Sequence, residues 1–85
     1  MISFRNSMPQ IDLHGEDKVS ATLRTKEFIN DSVFLNRTKI IIIHGRGTGV
    51  VKDAVFKELK SNKNVENFHL NMNLGSTTVI LKKKE

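Results

Sequence analysis

Four consecutive isoleucines, Ile40 to Ile43, constrain this chain more than any other stretch. A β-branched run followed at once by His44 and by glycines at 45, 47 and 49 reads as a strand rather than a helix. A strand that is apolar on both faces is central in its sheet. The glycines allow a tight loop whose backbone N–H groups can approach a ligand. Val50 and Val51 then open a second apolar pattern, carrying Lys52, that reads as the first turn of a helix. Helix N-termini attract anions. Residues 39–53 therefore read as strand, glycine loop and helix start, a seat for a phosphate with a histidine beside it.

The rest of the chain falls into place around this unit. Residues 1–9 read as an extended lead-in, with Pro9 holding Met8 extended, and residues 10–85 as one domain. Gln10 to Gly15 reads as a short strand in which Ile11 and Leu13 face one way and Asp12 and His14 the other. Glu16 or Asp17 caps a helix over about Lys18 to Phe34, whose expected buried stripe is Val19, Leu23, Ile29 and Val33, with Phe28 off it. Strand, helix and strand make a βαβ unit with parallel strands. Their C-terminal ends, at Asp12–Gly15 and His44–Gly47, share the sheet edge where open α/β sheets bind ligands. A second helix runs from about Val50 to Lys60, with Val51, Ala54, Val55 and Leu59 inward. Val65–Asn71 and Thr77–Lys82 form a closing hairpin. The expected fold is α/β, an α+β two-layer sandwich of order βαβαββ, with a four-stranded mixed sheet and two helices.

Eighty-five residues leave room for one core. The chain has no cysteine, which excludes disulfides and Cys-based zinc sites. No run reaches transmembrane length and no signal-peptide plan is visible, so a soluble cytoplasmic domain without a membrane partner is expected. The net charge of +5 is uneven. Residues 1–36 carry a balance of −1 and residues 37–85 a balance of +6. The basic excess sits with the glycine loop and everything after it, favouring a polyanionic partner. The Lys82–Lys84 run reads first as a solvated tail.

Asp12, His14 and His44 converge on the shared edge. A histidine can give or take a proton during phosphodiester cleavage, and a carboxylate nearby can orient it. Arg46, Lys52 and the loop N–H groups of Gly45, Gly47, Thr48 and Gly49 can hold a phosphate and stabilise developing charge. Each residue also has a plainer role open to it: Asp12 tying down a loop, His14 or the glycines serving a turn, Arg46 merely solvated. The loop is neither a Walker motif nor a dinucleotide fingerprint. Asp12, His14 and His44 could supply a two-histidine, one-carboxylate set for a divalent cation such as Mg or Mn. No spacing is specific for one and the basic neighbours oppose it, so no intrinsic metal is expected.

The paired motifs Ile11-Asp12-Leu13-His14-Gly15 and His44-Gly45-Arg46-Gly47-Thr48-Gly49, in this order and separated by a helix, resemble those of the small MutS-related (Smr) domain over roughly residues 10–83. The resemblance implies a two-layer α/β fold similar to the C-terminal domain of translation initiation factor three. It implies nucleic-acid binding and, in many members, endonuclease activity on DNA or RNA. Asp12 and His14 match the motif that members use for cleavage; His44, Gly45 and Gly47 match the second, and Thr48 and Gly49 complete its loop. Position 11 is isoleucine rather than leucine, and only Leu74-Gly75-Ser76 stands where members often carry several glycines. The chain looks like the C-terminal domain of a bacterial MutS paralogue with an ATPase region, linked to suppression of recombination, DNA repair and rescue of collided ribosomes. The isolated domain is then expected as a monomer and its parent as a homodimer. The expected function is an acid–base endonuclease that nicks DNA or cuts RNA; the alternative is a non-catalytic module that docks on nucleic acid or the ribosome.

Overall fold

A computed structural model describes residues 8–83. The elements are β1 (Gln10–Asp12), α1 (Lys18–Phe34), β2 (Lys39–Ile43), α2 (Val50–Ser61), β3 (Val65–Leu70) and β4 (Ser76–Leu81). They build one sheet of order β1-β2-β4-β3, parallel between β1 and β2 and antiparallel elsewhere. The expected βαβαββ order and the central place of the isoleucine strand are both observed. Of the expected lead-in, residues 1–7 lie outside the described part; at Pro9 the carbonyl accepts the Ile41 N–H.

Both helices pack on one face of the sheet. Ile40 and Ile42 of β2, Val79 and Leu81 of β4, and Leu13 just after β1 point into a single buried cluster with Ile29 of α1 and Val55 and Leu59 of α2. Ile41 and Ile43 point the other way, are half-buried, and among the described residues have no helix above them. The two-residue period of a strand thus divides the isoleucine run between a core face and an open face.

The buried face of α1 differs from the expected one. Ala21, Thr25, Ile29 and Ser32 are buried, whereas Val19 is 77% and Leu23 53% exposed. Phe28 and Val33 pack on the rim of the core. The physical reason is proximity: α1 lies against α2 as well as the sheet, and small side chains let the helices approach closely where Leu23 would hold them apart. Among the described residues Thr25 Oγ1 and Ser32 Oγ are buried without a hydrogen-bond partner. An unpartnered buried hydroxyl costs about 1–3 kcal/mol. Replacing Thr25 by valine keeps the shape and removes the hydroxyl. Urea unfolding of Thr25→Val is expected to show a gain of about 1 kcal/mol.

β1 is shorter than expected because the Asp12 side chain captures the backbone. Leu13 N–H still donates to Ile43 at 2.7 Å, but the next N–H, of His14, turns to Asp12 Oδ1 at 3.1 Å. Gly15, at φ +84°, and the Glu16 N–H bond to Leu13 complete the turn. Asp17 then caps α1, accepting the Ser20 N–H at 2.7 Å. In β3 a bulge between Val65 and Asn67 leaves Glu66 outside the alternation, so Phe68 and Leu70 keep the core register without it.

Candidate nucleic-acid interface

The glycine loop leaves β2 at His44 and enters α2 through Gly49, whose φ of +92° is one that a side chain disfavours. No side chain caps α2, and its first internal bond is from Asp53 N–H to Gly49. The N–H groups of the first turn therefore face the loop without a capping partner from the chain. Gly45 has a second reason to be glycine. At φ +82°, a Cβ there would stand 3.0 Å from the His14 Cβ. The two motifs thus touch at backbone distance, which brings His14 to the lip of the loop.

Asp12 and His14 form a pair on the open face. His14 Nδ1 lies 2.7 Å from Asp12 Oδ1, the oxygen that also accepts the His14 N–H. A carboxylate can only accept, so the shared proton resides on Nδ1 and Nε2 is left as a lone-pair base. The hydrogen bond to Asp12, aided by its charge, raises the His14 pKa above the ordinary histidine value. The same hydrogen bond, and then the His14 backbone N–H, lower the Asp12 pKa. Both side chains are open to solvent, at 69% for His14 and 54% for Asp12. The pair can therefore meet a large substrate without any rearrangement.

His44 shares the edge but not the face. The strand alternation places it with Ile40 and Ile42, and it is buried beneath the loop, edge-on to Phe56 with ring centres 6.2 Å apart. Its Nδ1 lies 3.0 Å from the Gly45 carbonyl and its Nε2 2.9 Å from Thr77 Oγ1. The carbonyl requires a donor, so Nδ1 carries the proton and Nε2 accepts from the Thr77 hydroxyl. Burial lowers the His44 pKa, opposed by the bond to Gly45 and reinforced by the nearby Lys52 charge. A neutral imidazole with both nitrogens engaged braces the loop here.

The three residues expected to converge are thus separated by function of position: Asp12 and His14 outside, His44 inside. Among the described residues no group of three His, Asp or Glu side chains is placed to hold a cation. Arg46, Gly47, Thr48 and Gly49 line a cleft of about 310 Å3 together with His14, His44 and Gly45, and Lys52 sits half-buried one turn into α2.

Two contributors escaped the sequence reading. Thr77 had a legible signal: it shares the core face with Val79 and Leu81, so its hydroxyl needs a buried partner, and His44 is that partner. The turn after β3 was marked in the sequence only by Gly75, at the place where family members often carry several glycines. Its Gly75 carbonyl accepts the N–H groups of both His44 and Gly45, at 3.0 and 2.9 Å. The Arg46 stem packs against Gly75 closely enough that an added Cβ would lie 3.3 Å from it. The turn is therefore the second support of the glycine loop.

A histidine–carboxylate pair and a glycine loop lie at the carboxyl ends of adjacent parallel strands of a small α/β domain, the edge at which open α/β sheets bind their ligands. The Smr domain profile matches residues 11–82, and the chain belongs to the Smr domain family. It is 36% identical to endonuclease MutS2 of Geobacillus sp. over 85% of this chain and 9% of that protein. It is 32% identical to endonuclease MutS2 of Clostridium perfringens over 95% of this chain and 11% of that protein. The chain thus spans about a tenth of the length of the curated relatives it matches. Among solved structures, the Smr domain of Thermus thermophilus MutS2 superposes with a TM-score of 0.85 at 26% identity, covering 88% of this chain and 99% of that one. YdaL, a stand-alone small MutS-related protein from Escherichia coli, superposes with a TM-score of 0.84 at 18% identity, covering 93% and 70%, and supports the fold alone. Among the described residues no helix is long and apolar enough to cross a membrane.

Proposed function

We propose that this domain is a nucleic-acid endonuclease in which the Asp12–His14 pair performs the proton transfer. The observation that carries the reading is the 2.7 Å contact between His14 Nδ1 and Asp12 at the mouth of the glycine-loop cleft. His14 Nε2 removes the proton from an attacking oxygen, of water or a ribose 2′-hydroxyl, as that oxygen bonds to phosphorus. The bond from phosphorus to the leaving oxygen breaks, and that oxygen takes up a proton. Arg46, Lys52 and the loop N–H groups hold the phosphate and offset the charge that builds on it. His44 acts at one remove, keeping the loop in place. The name of the longer relatives, endonuclease MutS2, supports the reaction class.

Supercoiled plasmid and single-stranded RNA, incubated with the wild type and with an Asp12→Asn, His14→Ala double variant, test the assignment. Cutting by the wild type alone is expected; equal cutting by both removes it. A binding module without catalysis is the second reading, favoured by the solvent exposure of the pair and the basic excess after residue 36. Both readings expect affinity to fall with salt, because phosphate contacts release counterions. Arg46→Ala is expected to weaken binding to any sequence and to reduce the slope of log affinity against log salt by about 1.

A further inference from the structure

The glycine loop stands between two adjoining spaces, and they differ in chemistry. The cleft at the start of α2 is lined by the loop itself. The other is a broader groove of about 770 Å3 on the open sheet face. Ile41 and Ile43 form its floor, Met72 and Asn73 stand along its far side, and His14, Gly45 and Arg46 line both spaces. An isoleucine floor offers a phosphate nothing. It suits a flat apolar body with polar edges.

The far wall is held in place. Met72 is fully exposed. The turn that carries it is braced from several directions. Asn73 Oδ1 accepts the Gly75 N–H at 2.8 Å and the Ser76 hydroxyl at 3.2 Å, and Leu74 N–H donates to Asn71. Asn71 in turn bonds the Ser76 and Thr78 hydroxyls on the open face. Leu74 is held at φ +64°, a conformation that costs a leucine energy and persists only where neighbours enforce it. The methionine is thus presented on a braced turn rather than a loose tip.

Resting on the nucleic-acid reading above, we propose that this groove is a nucleobase subsite, which takes the base of the nucleotide whose phosphate lies at the glycine loop. The two spaces share His14, Gly45 and Arg46, so a strand gripped in the cleft places the adjoining base over Ile41 and Ile43 and against Met72. A methionine sulfur packs favourably on an aromatic ring. A base stacked and paired within a duplex has neither a free face nor a free path into the groove. The substrate class is therefore a strand with an unpaired nucleotide at the scissile position.

Fluorescence anisotropy with the domain and two equally long single strands, one bearing bases and one abasic, tests this, each in deoxyribose and ribose form. The wild type is expected to prefer the base-bearing strand by about tenfold, and Met72→Ala to narrow that preference by about threefold or more, with affinity for the abasic backbone unchanged. Affinity for a fully paired duplex is expected to be the same in wild type and variant. The deoxyribose and ribose arms tell which sugar the groove accepts. Equal wild-type affinity for the two strands would overturn the subsite. So would a preference that survives both Met72→Ala and Met72→Glu, or a loss on the paired duplex as large as on the single strand. Absence of salt-dependent binding to every probe would instead overturn the nucleic-acid reading beneath it.

Discussion

His14→Ala is expected to slow cleavage by about 10²- to 10⁴-fold, the usual contribution of a positioned general base, while affinity for nucleic acid changes little. Two features set the size of the effect. The pair lies at the lip of the phosphate cleft, so no other histidine can substitute: His44 is buried with both nitrogens engaged, and His69 projects from β3, separated from β1 by two intervening strands. His14 is also solvent-exposed, so its removal leaves the core intact and the variant folded. Asp12→Asn is expected to fall short of this loss, because the imidazole survives and only its orientation and basicity are disturbed. Single-turnover cleavage at saturating substrate measures both. Weakened binding with an unchanged rate would instead mark His14 as a phosphate ligand.

His44→Ala is expected to show the opposite pattern, a loss of fold stability of about 3 kcal/mol. The substitution opens a cavity beside Phe56, orphans the Thr77 hydroxyl, and removes the donor that holds the Gly45 carbonyl. His44→Gln, which keeps an N–H donor and a carbonyl acceptor on a flexible stem, is expected to lose less. The pH dependence follows from burial of the ring. The folded pKa lies below the unfolded one, so the stability from the neutral imidazole is fully present above the ordinary histidine value and is lost as pH falls beneath it. His14 acts in reverse, its raised pKa contributing below the ordinary value and fading as pH rises through the raised one. Urea unfolding of wild type and His44→Gln between pH 5 and 8 separates the two, since only the His44 contribution differs between them.

The contrast between these two histidines also explains what the amino-acid sequence could and could not disclose. The isoleucine run, the βαβ order and the shared face of Asp12 and His14 all rest on strand periodicity and glycine placement, which are local, and all appear in the structure. The face taken by His44 was not legible, because four isoleucines in a row are equally apolar on both sides. Only the packing of both helices on the side of Ile40 and Ile42 decides that His44 points inward. Helix α1 misled for a similar reason. Of its expected stripe Ile29 and Val33 meet the core, but the first two turns bury the small Ala21 and Thr25 in place of Val19 and Leu23. The role of the β3–β4 turn as a support for the glycine loop depends on contacts between Gly75 and residues some thirty positions earlier, which no local pattern discloses.

The most direct test of the account is the pH profile of kcat/KM for cleavage by the wild type and Asp12→Asn, which reports groups in the free enzyme. His14 must be neutral to act as a base, so the rate rises with pH through its pKa. The Asp12 bond places that acid limb above the ordinary histidine value in the wild type. Its loss moves the limb to lower pH in Asp12→Asn, at a reduced plateau. An acid limb at the same pH in both proteins would contradict the assignment of the Asp12–His14 pair as the centre of the reaction.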